Sequence, residues 1–212
     1  MNALIILDMQ NDFISGSLAV PDAETIIPVI NELSPNFPLV IATQDWHPHN
    51  HQSFASNHNK KPFEQITLPH GTQTLWPDHC VQDSYGAILH AQLDTCAVQA
   101  IFRKGMDPKI DSYSAFYDND HQRTTGLAVY LRAKKATTLY FCGLCADICV
   151  YYSIKDALDE GFNCVLIEDA TRPINAINFS LIKQELQQLG VQFVSSKEIC
   201  KKTSHAMSSD LI

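Results

Sequence analysis

The chain has 212 residues, 45% of them hydrophobic and 18% charged, with a formal net charge of −8 at pH 7. That is ordinary globular composition, with apolar material for one domain core. The acidic balance argues against nucleic acid and against anionic membrane surfaces as partners, since both need clustered Lys and Arg.

Residues 3–7 are the first apolar run of strand length. No basic segment precedes the run and it leads straight into Asp8, unlike a secretory signal. No later run approaches the ~18 residues of a membrane span, so the compartment implied is the cytoplasm. Residues 22–33 carry Ile26, Ile27, Val29, Ile30 and Leu33 at helical spacing and predict the first helix. A second strand is predicted at 39–42. The stretch 43–82 then shows no convincing element and is rich in His, Asn and Pro; loops of that length in a compact domain are usually functional. Strands are predicted again at 97–102, 138–141, 164–167 and 191–194, and helices at 122–133, 148–160 and 175–189. Gly161 and Gly190 stand where the last two helices should stop. Most of the strand runs are continuous rather than alternating, as in strands buried on both faces. The expectation is an α/β fold, an open, mostly parallel six-stranded sheet with helices on both faces. A single domain is expected over 1–196 with an insertion at 44–82, followed by a polar, partly disordered tail at 197–212.

Open α/β sheets bind ligands beyond the carboxyl ends of their strands. The residues there are Asp8, then Gln44-Asp45-Trp46-His47, Arg103-Lys104-Gly105, Gly143 to Cys149, and Glu168-Asp169. In the segment Cys142-Gly143-Leu144-Cys145-Ala146-Asp147-Ile148-Cys149 a strand ends, a glycine allows a tight turn and a helix starts. Asp147 suits the cap or first turn, and Cys149 then falls where a helix N-terminus favours a thiolate and free amides can hold an oxyanion. The seven cysteines are odd in number and form no small disulfide scaffold, so they read as free thiols in a reducing compartment. Cys142 and Cys145 could instead be a redox pair, or all three could simply pack; a zinc knuckle would need a second CxxC that is missing. Asp8 offers a base, and a lysine beside it, Lys104, would keep the carboxylate ionised and lower the thiol pKa. Asp45 and His47 lie two residues apart on one face of an extended segment, and His79 ends the same insertion. One carboxylate with two imidazoles leaves coordination positions open and suits a divalent ion, zinc foremost, with iron or manganese as the other fits. Phe13, Trp46, Trp76, Tyr113 and Phe116 stand outside periodic core positions and suit the walls of a cleft for a flat ring.

Six motifs occur in order: Asp8-Met9-Gln10-Asn11-Asp12-Phe13, Asp45-Trp46-His47-Pro48, Trp76-Pro77-Asp78-His79-Cys80, Arg103-Lys104-Gly105, Asp111-Ser112-Tyr113-Ser114-Ala115-Phe116 and Ala146-Asp147-Ile148-Cys149-Val150. Together they resemble the nicotinamidase (pyrazinamidase) family of the isochorismatase-like cysteine hydrolases, over residues 3 to about 195. The resemblance implies a catalytic triad of Asp8, Lys104 and Cys149 and a divalent metal held by Asp45, His47 and His79. It leaves His51 open as a further ligand. It also implies a ring pocket of Phe13, Trp76 and Tyr113, a cis peptide before Cys145, and an oxyanion hole of the Cys145 and Cys149 amides. The partner implied is the small molecule nicotinamide, used in NAD salvage; a homo-oligomer is compatible with the sequence. Cys145 departs from the family, which usually has alanine there, and a disulfide with Cys149 is left open. The alternatives are a sister amidohydrolase acting on a ureido acid or carbamoyl amine, a hydrolase using metal-bound water alone, and a metal- or redox-sensing binding module.

Overall fold

The computed structural model describes residues 1–69 and 71–201. Its strands are β1 (Asn2–Leu7), β2 (Val40–Asp45), β3 (Gln65–Leu68), β4 (Gly71–Thr74), β5 (Val98–Lys104), β6 (Thr138–Leu144), β7 (Asn163–Arg172) and β8 (Gln192–Val194). Its α-helices are α1 (Asn11–Ile14), α2 (Ile27–Leu33), α3 (Leu127–Ala133), α4 (Tyr151–Asp159) and α5 (Ala176–Gln188). Six strands form one sheet in the order β5-β2-β1-β6-β7-β8, and every pairing in it is parallel. The chain builds outward from β1 through β2 to β5, then crosses back to β6 and builds the other way. The switch point therefore lies between β1 and β6, where Asp8 and the Cys145–Cys149 turn both emerge.

Period-two alternation along β1 divides the core. Leu4 and Ile6 face α2 through Ile27, Ile30 and Leu33, while Ala3, Ile5 and Leu7 face the layer of α3, α4 and α5 through Leu131, Ile154 and Leu186. Helices thus cover both faces, and the strands read as continuous apolar runs because each face has its own core. Gly143 sits at φ +99°, where β6 passes so close to β1 that a Cβ would meet Leu7 O at 2.1 Å. Only glycine fits that approach.

The structure changes several element limits. Residues 22–33 are a 3₁₀ turn (Ala23–Ile26) followed by α2, because Pro28 suits only a first helical turn. The helix expected from 122 starts at Leu127: Gly126 stands at its N-cap with φ +87°, and Tyr117 pairs with Thr124 in an antiparallel bridge. The segment 43–82 holds more structure than its composition suggests, namely the end of β2, a 3₁₀ turn at Ala55–His58 and the antiparallel β3–β4 hairpin. The hairpin gives little hydrophobic signal because it is mostly exposed. The tail also begins in order. Residues 196–201 are helical, the Glu198 carboxylate reaches back to accept from the Ser195 N–H and hydroxyl, and Ile199 and Cys200 pack on the α2 side of the core. The rest of the tail, 202–212, lies outside the described residues.

Candidate active site

Four strand ends deliver the charged groups. Asp8 follows β1 in the left-handed region (φ 47°) and is fully buried. Thr43 of the neighbouring strand β2 holds it twice: the Thr43 hydroxyl donates to Asp8 Oδ1 at 2.5 Å and accepts from the Asp8 N–H at 3.2 Å. Lys104 ends β5 and reaches across β2. Its Nζ lies 3.0 Å from Asp8 Oδ2, 2.5 Å from Asp45 Oδ1, 3.0 Å from Ser112 O and 3.6 Å from Cys149 Sγ. Burial alone would lower the Lys104 pKa, but Asp45, Asp8 and Cys149 together raise it well above the usual lysine value. Burial works against Asp45 ionising too, yet Lys104 and His47 hold it well below the usual carboxylate range. One cation thus links two carboxylates and a thiol.

Cys149 is 4% exposed and lies in a π-type turn (Ala146–Val150) that precedes α4. The turn is closed by Ile148 N–H and Val150 N–H, both donating to Cys145 O at 3.1 Å. The Leu144–Cys145 peptide is cis. Asp147 lies in the first turn, and its carboxylate accepts from the Ile174 and Asn175 amides at 2.9 Å each, tying the turn to the segment before α5. Burial pushes the Cys149 thiol well up, and the opposing pull of Lys104 does not overcome it. Desolvation therefore opposes the thiolate that the helix start and Lys104 favour, and the turn sets these two effects against each other. Asp8 is also shifted up, by burial first, against the pull of Lys104. Its Oδ2 accepts no well-aligned hydrogen bond, and a carboxylate oxygen of Asp8 lies within 4.8 Å of Cys149 Sγ. A proton acceptor thus stands beside the nucleophile.

On the other side of Asp45 lie His47 and His79. The donor atoms of the three residues are buried and within 4.8 Å of one another. His47 Nδ1 lies 2.9 Å from Gly105 O and His79 Nδ1 lies 2.8 Å from Pro77 O. Each ring proton is thereby held on Nδ1, leaving Nε2 to offer its lone pair beside Asp45 Oδ2, at 3.6 Å and 3.8 Å. Gly105 (φ +67°) permits this, since a Cβ there would meet the His47 ring at 2.4 Å. Burial and His47 push His79 down to about 4, so its imidazole is neutral near pH 7. His51 differs. Its Nδ1 lies 2.6 Å from the Ser53 hydroxyl and 3.2 Å from the Ser53 N–H, and its Nε2 is a buried atom with no protein partner. With His47 and Asp111 it offers a second buried group of metal-type donor atoms within 4.8 Å of one another. Two oriented imidazoles, an ionised carboxylate and an orphaned buried imidazole nitrogen fit a divalent ion whose remaining positions are open.

A small cleft opens onto both groups, lined by Asp45, His79, Cys145 and Cys149 together with Phe13, Trp76 and Tyr113. Two aromatics placed at the cleft by the sequence are elsewhere. Phe116 is fully buried in the core beneath α3 and α4, and Trp46 stacks under the Arg103 guanidinium at 3.7 Å. The structure also adds residues that sequence reasoning left unassigned. Gln10 clamps the Asp45 backbone, accepting from its N–H and donating to its carbonyl, each at 2.8 Å. Thr43 and Asp111 join the site as well. Thr43 acts across a strand pair, and Asp111 accepts from the Gln73 side chain at 3.2 Å. All seven cysteines, Cys145 and Cys149 included, are free.

The family model described as the Isochorismatase domain matches residues 2–198. The chain belongs to the isochorismatase family. Among curated relatives in it, the nicotinamidase of Acinetobacter baylyi is 49% identical over 201 residues, covering 93% of this chain and 94% of that protein. Among solved structures, an Acinetobacter baumanii nicotinamidase/pyrazinamidase superposes with a TM-score of 0.91 at 45% identity, covering 93% of this chain and 97% of that one. PnC1 from L. infantum in complex with nicotinate gives 0.83 at 39%, covering 93% of each chain. A Pyrococcus horikoshii pyrazinamidase in complex with zinc gives 0.75 at 34%, covering 92% and 98%. Among the described residues no helix is long and apolar enough to cross a membrane.

Proposed function

We propose that this chain hydrolyses nicotinamide, and pyrazinamide with it, to the ring acid and ammonia, serving NAD salvage in the cytoplasm. The observation that carries this reading is the Lys104 ammonium, which joins Asp8, Asp45 and Cys149 beside one aromatic-walled cavity. Relatives described as nicotinamidases and a neighbour holding nicotinate support a pyridine ring as the occupant.

Asp8 Oδ2 takes the thiol proton of Cys149, and the sulfur attacks the carboxamide carbon. The Cys145 and Cys149 amides hold the oxyanion. Asp8 returns the proton to the departing ammonia, leaving a thioester. A water then attacks it with Asp8 again the base, freeing the acid and restoring the thiol. Lys104 keeps its ammonium beside the charge as it moves between carboxylate and sulfur. Phe13, Trp76 and Tyr113 hold the ring flat and exclude water. Asp45, His47 and His79 would hold the divalent ion, zinc foremost, which when bound supplies a Lewis-acidic anchor for a ring nitrogen.

The test is ammonia release from nicotinamide, with a carbamoyl amine as the competing substrate. The metal-loaded, thiol-reduced protein should release ammonia from nicotinamide only. Chelator treatment should cut the rate by at least about tenfold, and zinc, iron or manganese should restore it. Release from the carbamoyl amine alone would replace this reading with the sister amidohydrolase.

A further inference from the structure

Gln73, 8% exposed, is the one buried residue of the strands β3 and β4; the others are exposed or half-buried. An open groove lies between Leu68, Gly71 and Thr72 on one side and Lys109 and Asn119 on the other. What crosses that gap is the Gln73 side chain. Its Nε2 lies 2.7 Å from Thr74 O, 3.2 Å from Asp111 Oδ2 and 3.2 Å from the Tyr113 hydroxyl. Two N–H groups thus serve three acceptors, and the two belonging to side chains both line the substrate cavity. A hairpin that needed only an anchor would bury an apolar residue there. A buried amide instead ties the hairpin to specific partners, because each of its N–H groups must be satisfied in place. Tyr113 also makes ring contacts with Trp76 and Tyr152, its N–H donates to Asn119 Oδ1 at 3.0 Å, and its hydroxyl meets the Trp76 side chain beside the Gln73 amide.

We propose that Gln73 is a positioning residue for substrate binding: it fixes the Tyr113 and Asp111 wall of the cavity from the hairpin. The inference rests on the nicotinamide reading, and it assigns Gln73 to affinity rather than to the chemical step. Asp8, Lys104 and Cys149 are untouched by its loss, so KM should carry the effect.

Gln73→Leu keeps the bulk and removes the amide. It should raise KM for nicotinamide about tenfold with kcat within about threefold of wild type, as for a lost interaction shared by ground and transition states. In a Tyr113→Phe background the same substitution should raise KM by no more than about threefold, because part of its contact is already gone. Gln73→Asn, which keeps an amide on a shorter arm, should fall between. An unchanged KM in Gln73→Leu, or an equal factor in both backgrounds, overturns the proposal. If Gln73→Leu fails to fold, hydrogen exchange of the wild type decides: saturating nicotinate should slow exchange across 65–68 and 71–74, by reciprocity of coupling, and unchanged exchange there overturns it. A wild type inactive on nicotinamide would instead count against the functional reading itself, so the two failures are distinct.

Discussion

Cys149→Ala should abolish ammonia release from nicotinamide, lowering kcat by at least about 10⁴-fold, as loss of a nucleophile does in other covalent hydrolases. The variant should keep its fold and its metal. The side chain shrinks by one sulfur at a position that is 4% exposed, in a turn held by the backbone bonds of Ile148 and Val150 to Cys145 O. The metal donors Asp45, His47 and His79 are unchanged, so metal analysis should give the wild-type content. The loss is therefore chemical and not structural. Turnover within about tenfold of wild type would mean that the cysteine is a packing residue and that the attacking group is a water activated elsewhere in the site.

Lys104→Met should damage both stability and catalysis. Lys104 is 2% exposed, and its ammonium lies within salt-bridge distance of two carboxylates, Asp8 fully buried and Asp45 4% exposed. Methionine has nearly the same length but leaves Asp8 without its counterion and Asp45 with only its histidine side of the cluster. Removing one member of a buried charge cluster costs about 3–5 kcal/mol, because the remaining charges stay desolvated. The urea midpoint should fall accordingly, and kcat should fall by at least about 10³-fold, since no cation then accompanies the charge passing between Asp8 and sulfur. Arginine should not rescue the variant, because its planar fork does not fit a pocket built around one point charge. A midpoint and kcat near wild type would show that the cluster is not organised by Lys104.

The parts of the fold legible in the sequence were those set by burial on both faces. Runs such as Ile5–Ile6–Leu7 have no polar member because β1 lies between two cores. The residues placed just after such runs, Asp8, Asp45, Lys104 and Cys149, then meet at the switch point because the strand order is β5-β2-β1-β6 in that region. The β3–β4 hairpin was not legible, since backbone pairing and one amide hold it rather than an apolar face. Thr43 and Gln10 were equally hidden: each acts on a residue 35 positions away that only sheet register brings near. Phe116 and Trp46 show the opposite error. Aromatics outside a periodic pattern can be core or can stack on a guanidinium, and spacing does not distinguish either from a pocket wall. The desolvation of Cys149 was hidden as well, because the helix-start argument names what favours a thiolate while the burial that opposes it appears only once the turn is folded.

The central claim is covalent attack by Cys149 on nicotinamide. Acid quenching during the first turnover, followed by peptide mapping by mass spectrometry, tests it most directly. A nicotinoyl group should appear on the peptide carrying Cys149 and be released by hydroxylamine, and hydroxylamine present during turnover should divert product to the hydroxamate. A complete first turnover with every cysteine unmodified at all quench times, and with no hydroxamate formed, would contradict it.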